Sequence, residues 1–174
     1  MNARTNVSFR VVETSTHPLW GHGWFDRTRF AVHTAEGSPR SARDVMRAFV
    51  LDPIAQRSFC DPTGWGVRTG RHGPFRHDRL AVGWYRPVTT GAFRARLAFA
   101  LAPSGFTELD PSELAPVDSW VASLAARDDD ILELAAPDDP DVRVDFASIW
   151  LFFHEFVAVR RDGLELEIGV VGHD

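Results

Sequence analysis

SIWLFFHEFVAVRRDGLELEIGV, from Ser148 to Val170, is the stretch whose reading decides the fold. Ser148 to Val159 is almost wholly apolar, and Leu164, Leu166, Ile168 and Val170 alternate with Glu165 and Glu167. A period of two marks a strand with one face buried. Asp162-Gly163 between the runs is the dipeptide that favours the tight turn of a hairpin. With those two as the turn residues, Arg160 faces Glu165, Val159 faces Leu166 and Val157 faces Ile168. That register places Glu155 opposite Val170, on the aliphatic face. His154 falls on the other face, in a row with Trp150, Phe152 and Phe156. A carboxylate among aliphatics is desolvated and its pKa rises, which is one way to make a general acid or base near neutral pH. Glu155 and His154 are therefore the candidate catalytic residues. Glu155 is expected to be buried with a specific partner, an Arg being the first choice.

Outward from this hairpin, Val7, Phe9 and Val11 alternate as a strand. Trp24 to His33 forms a second, with Thr28, Phe30 and Val32 on one face and Arg27 and Arg29 on the other. His17-Pro18 and Gly21-His22-Gly23 read as the loop between them. Residues 39–51 predict a helix: Ala42, Val45, Met46, Phe49 and Val50 make one apolar stripe, Arg40, Arg43 and Arg47 lie opposite, and Pro53 stops it. Pro39 suits the first turn, and Ser41 three before Asp44 offers an alternative cap. Residues 60–78 are punctuated by Gly and Pro as a loop. Leu80, Val82 and Trp84, then Phe93 to Leu101, alternate as two strands of a second hairpin. Asp110-Pro111-Ser112-Glu113 starts another helix, carrying Val117, Trp120, Val121 and Leu124. Ile131 to Leu134 is a short apolar run, and Val142, Val144 and Phe146 alternate. Strands dominate and two or so helices stand apart, so the expected fold is a single α+β domain over residues 1–174, a predominantly antiparallel sheet with amphipathic helices packed on it.

The 174 residues carry 44% hydrophobic content and a net charge of −5, which excludes a disordered or collagen-like chain. All 19 basic residues are Arg, a bias that fits a GC-rich bacterial gene. Cys60 is the only cysteine, so no disulfide forms within the chain. The first 18 residues lack the apolar core of a secretory signal, and the longest apolar run falls far short of the ~20 residues a membrane span needs. A cytoplasmic location, with no membrane partner, is the expectation.

Charge divides along the chain. Residues 1–96 hold 15 Arg and 7 acidic residues, whereas residues 97–174 hold 4 Arg and 17 acidic residues. Two interleaved halves would neutralise each other; segregated halves would give one basic and one acidic face. Within the basic half, Trp65, Phe75, Trp84 and Tyr85 alternate with Arg68, Arg71, Arg76, Arg79 and Arg86, and His72 and His77 add donors. Arg forks match phosphate and carboxylate, and aromatic rings stack on bases. Trp65, Arg68, Arg71, His72, Arg76, His77 and Trp84, extended by Arg40, Arg43 and Arg47, form the candidate ligand- or partner-binding set. A pI near 5.8 argues against a general nucleic-acid binder. The histidine pairs His17/His22 and His72/His77 lack helical metal-ligand spacing, and no metal or cofactor is expected. No G-x-S-x-G, P-loop or dinucleotide fingerprint occurs. The leading expectation is a non-enzymatic accessory module of the bacterial immunity-like kind, binding a protein partner or a second copy of itself. A pocket for a small apolar molecule using Glu155, and nucleic-acid or nucleotide binding through residues 65–86, are the alternatives.

Overall fold

The computed structural model describes residues 7–34, 41–59, 64–145 and 150–173. Arg40, Cys60 and Phe146 lie outside them, as does Pro39 with the helix start it suggested. Six strands form one antiparallel sheet: β1 (Val7–Pro18), β2 (Gly23–Thr34), β5 (Tyr85–Val88), β6 (Asp130–Leu134), β7 (Phe152–Val159) and β8 (Glu165–His173). Their spatial order is β1-β2-β8-β7-β6-β5. Two-residue strands β3 (Arg71–His72) and β4 (Phe75–Arg76) pair separately in the 60–78 region. Three helices pack on the sheet: α1 (Ala42–Leu51), α2 (Thr90–Ala100) and α3 (Pro111–Arg127). The fold is α+β on an antiparallel sheet.

The hairpin register follows from its turn. Val159 pairs with Leu166, Val157 with Ile168 and Glu155 with Val170. Gly163 takes φ 69°, a left-handed conformation that costs glycine little. β8 lies between β7 and β2, so the C-terminal hairpin and the N-terminal hairpin share one sheet, and the basic and acidic halves of the sequence interleave. Arg27 of β2 reaches Glu167 of β8, and Arg96 of α2 reaches Glu133 of β6.

Period-two burial splits the interior. On one face α1 lays Val45, Met46 and Phe49 against Phe30, Val157, Leu166, Ile168 and Val170. On the other, α2 and α3 bring Phe93, Leu97, Trp120 and Leu124 against Phe25, Phe156, Ala158 and Val171. Gly169 of β8 lies directly beneath the Trp120 ring, where any Cβ would overlap it. Helix α1 starts at Ser41, whose side chain accepts from the Asp44 amide, and α3 starts with a full capping box between Asp110 and Glu113.

Several expectations are corrected. Phe93 to Leu101 is helix α2, not a strand. Its alternation overlaps a helical set, since Phe93, Leu97 and Ala100 are buried together and Phe99 is left outside, and Thr89 caps the start. The 80–84 run becomes a short 3-10 turn, Val82–Trp84, leading into β5, so the second hairpin is absent. Val142 ends another 3-10 turn begun by Pro140, and the Val144 amide bonds Pro74 instead of a sheet neighbour. β1 runs on to Pro18, so His17-Pro18 belongs to the strand and only residues 19–22 turn. As β1 lies at the edge of the sheet, Pro18 forfeits no interior ladder bond there.

Candidate functional site

A band of polar residues crosses the α1 side of the sheet. Register builds it: Thr16 of β1 pairs with Asp26 of β2, Asp26 with Val170 of β8, and Val170 with Glu155 of β7. Two carboxylates thus flank one valine in a single row. Asp26 and Glu155 are 2% and 1% exposed, which demands compensation for each.

Their partners come from the segment after α1. Arg57 and His72 form a parallel bridge, with the Arg57 amide bonding Arg71 O and the Gly73 amide bonding Arg57 O. The bridge sets the Arg57 guanidinium and the His72 imidazole over the two carboxylates. Arg57 donates to Asp26 in bidentate fashion, Nη1 to Oδ1 at 2.8 Å and Nη2 to Oδ2 at 2.7 Å. Thr16 also donates to Asp26 Oδ2, and Trp65 Nε1 donates to Thr28 Oγ1 at 2.8 Å. The guanidinium lies 4.7 Å from the Phe59 ring centroid and 5.2 Å from that of Trp65. Phe59 adopts φ 66°, unusual for a bulky residue, and its ring stacks on Trp24 while meeting Trp65, His72 and Phe153 edge-on. Packing on every side holds that strained conformation.

Glu155 is gripped from two sides. His72 Nε2 lies 2.6 Å from Oε2, and the Tyr85 hydroxyl donates to Oε1 at 2.8 Å. His72 Nδ1 is 2.7 Å from Ala55 O. A carbonyl only accepts, so Nδ1 carries a hydrogen. One further proton therefore lies between Nε2 and Oε2. Burial lowers the His72 pKa, but the Glu155 charge, its hydrogen bond and the Ala55 carbonyl outweigh it, and the net direction is upward. Burial and the Glu155 charge push the Tyr85 hydroxyl well above its ordinary value, so it stays a donor. Among the described residues no Arg partners Glu155, contrary to expectation: its partners are His72 and Tyr85, and the buried guanidinium of Arg57 serves Asp26.

His154 occupies the opposite face, half-buried between Phe99 and Phe152 at ring distances of 6.5 and 5.9 Å. Burial lowers its pKa, which keeps it neutral at pH 7. The residues of the 65–84 set do not form one patch. Trp65 and His72 turn inward to the band just described. Trp84 packs edge-on to Phe75. Arg76 pairs with Asp78 at 3.0 Å and lines a 280 Å³ cleft with Arg71, Thr69 and Asp145; Arg68 is exposed and His77 half-buried. Arg47 pairs with Asp44 at 2.9 Å, whereas Arg43 lies beside Arg86 in a separate cleft of 240 Å³ over Met46, Val82 and Tyr85.

Asp26 and Arg57 are not among the candidate residues read from the sequence, and Tyr85 enters there only as one aromatic of the 65–86 stretch. A signal existed for Asp26, because it shares parity with Thr28, Phe30 and Val32 and so must lie on the buried face. Nothing local marks Arg57. Among the described residues no three His, Cys, Asp or Glu side chains converge as a metal site, and no helix is long and apolar enough to cross a membrane. Comparison with family models, with curated proteins and with solved structures yields no match for this chain.

Proposed function

We propose that this protein is a non-catalytic binding module that recognises a protein surface through an aromatic patch on its α2 side. The carrying observation is Phe99, which is 74% exposed at the last turn of α2. It caps a continuous ladder of rings: His154, then Phe152, then Phe106 at 6.0 Å from Phe152, ending on buried Trp20. A large apolar side chain held out in water on a rigid, preorganised base is the usual anchor of an interface. A neutral His154 keeps the patch uncharged.

The interior supports the same reading. Both oxygens of Glu155, both of Asp26 and both ring nitrogens of His72 are engaged within the protein, and the Glu155 and His72 side chains have no exposed surface. A catalytic acid must touch its substrate. The polar band instead pins Arg57, Trp65, His72 and Tyr85 to the strands β2 and β7. With the two sequence halves sharing one sheet, this reading rests on the aromatic patch rather than on opposed charged faces.

Light scattering over a concentration series, with cross-linking to captured partners, tests this proposal. Wild type should self-associate or capture a defined partner, and Phe99→Asp should abolish that complex while leaving the unfolding temperature unchanged. A wild-type protein that stays monomeric and captures nothing that Phe99→Asp fails to capture overturns it.

A further inference from the structure

Strand β1 is an open edge of the sheet. It is 12 residues long, about twice the usual strand, and among the described residues it has a strand neighbour on one side only. Such an edge presents backbone donors and acceptors to any strand that can lie alongside. Charge, proline and bulges are the usual devices that blunt it. Here Pro18 closes only the last position, and the bulge lies in the middle, where the register slips between Val11 and Glu13. Val12, the inserted residue, is 46% exposed.

The bulge changes which residues share a face. Before it, Phe9 and Val11 pair with Val32 and Phe30 on the α1 side, so Ser8 and Arg10 lie on the α2/α3 side. Beyond it, Thr14 and Thr16 pair with Thr28 and Asp26 on the α1 side, and Glu13 and Ser15 lie on the α2/α3 side. Arg10 and Glu13 are three residues apart, a spacing that opposes side chains in a regular strand, yet they stand on the same face. Arg10 is exposed and has no ion partner among the described residues. Glu13 stays exposed even though it meets Arg29 at 3.3 Å, which leaves it free to accept a second guanidinium.

We propose that β1 pairs antiparallel with β1 of a second copy of this chain, about a two-fold axis between Val11 and Val12, so that two sheets become one. In that register Arg10 faces the partner's Glu13 and Glu13 faces the partner's Arg10, both pairs on the α2/α3 side. Val11 and Val12 meet their counterparts at the centre, Phe9 meets the partner's Thr14 and Ser8 meets the partner's Ser15, so every pair keeps its face. Opposite charges directly across an antiparallel pair attract, and like charges repel. The parity change at the bulge is what permits this: residues before it match faces only with partners beyond it whose numbers add to an odd sum, and a single such register sets Arg10 against Glu13. A two-fold contact of this kind closes on itself and stops at a dimer. It is separate from the Phe99 patch, which meets the sheet at His154 of β7, three strands away.

Sedimentation equilibrium tests the proposal in Phe99→Asp protein, where the α2-side complex contributes nothing. That parent should dimerise. Arg10→Glu and Glu13→Arg, introduced singly, each set two pairs of like charges across the axis and should weaken the dimer at least about ten-fold. Both positions are exposed, so the unfolding temperature of the dilute monomer should not change. An equimolar mixture of the two variants should recover the parent dissociation constant to within about three-fold, because each chain supplies the charge that the other has reversed. A parent that stays monomeric up to about 1 mM, single variants that dimerise as tightly as the parent, or a mixture that gains nothing over its components overturns the proposal.

Discussion

Glu155 and Glu167 stand on neighbouring strands, each only 1% exposed, and they are stabilised in opposite ways. Glu155 points to the α1 side, where His72 and Tyr85, both buried, complete its shell. Glu167 points to the α2/α3 side, where Arg27 and Arg127 hold it with side chains 25% and 27% exposed. Arg127 also reaches Asp129 and Glu165. The first carboxylate shares a single proton in a sealed interior. The second is neutralised by permanent cations whose outer faces still meet water. A buried acid can thus be satisfied by a titratable partner or by fixed charge, and the two solutions differ in what breaks them.

The largest expected effect comes from emptying the sealed shell. Glu155→Ala leaves the Tyr85 hydroxyl and His72 Nε2 without a partner and opens a cavity, and it should cost about 3–5 kcal/mol. Denaturant unfolding reads this directly. A loss below about 1 kcal/mol would show that water reaches the shell and would erase the contrast with Glu167.

Glu167→Ala should cost less, about 2 kcal/mol, the scale of hydrogen bonds to charged groups. Arg127 keeps Asp129 and Glu165, and Arg27 can turn its partly exposed guanidinium to solvent. The Glu167 contribution should also shrink in high salt, because exposed charges are screened, whereas that of Glu155 should not. Unfolding of both variants at low and high ionic strength checks the pair. Equal salt sensitivity would break the comparison.

How far the sequence shows this contrast depends on how local each signal is. Asp162-Gly163 fixes the β7–β8 register, and that alone puts Glu155 inside and Glu165 and Glu167 on the other face. The capping box at Asp110 and the stripe of α1 are equally local. Partners are not. His72 meets Glu155 across 83 residues, and Arg57 meets Asp26 across 31, through a bridge of two backbone segments with no periodic signature. Alternation misleads at Phe93 to Leu101, where Ala, Arg and Leu favour a helix and the two periods coincide at Phe93 and Leu97. Tyr85, the only tyrosine, lies where an apolar run was expected to continue as a strand, and its hydroxyl is useful only because β5 ends up beside β6 and within reach of β7.

The smallest effect is the most selective. Glu155→Gln keeps the shape of the shell: the new amide can accept from Tyr85 and donate to His72 Nε2, with His72 neutral and its Nδ1 hydrogen still on Ala55 O. Stability near pH 7 should therefore fall by only about 1 kcal/mol, the scale of one altered hydrogen bond. Its pH dependence should change character. In the wild type the folded pKa of His72 lies above its unfolded value, so the folded state holds the extra proton more tightly. That contribution is fully present below the unfolded histidine value of about 6.5 and is lost as pH rises through the folded pKa, with a slope of at most about 1.4 kcal/mol per pH unit for one proton. In Glu155→Gln the raising charge is gone and His72 is already neutral when folded, so the alkaline loss should flatten. Glu167→Gln, whose partners are guanidiniums that do not titrate in this range, should retain the wild-type alkaline slope. Unfolding free energies measured from pH 6 to pH 9, about one Debye length's screening held constant at roughly 0.1 M salt, separate the two variants. An alkaline slope that survives in Glu155→Gln would place the shared proton elsewhere and remove the titratable half of the contrast.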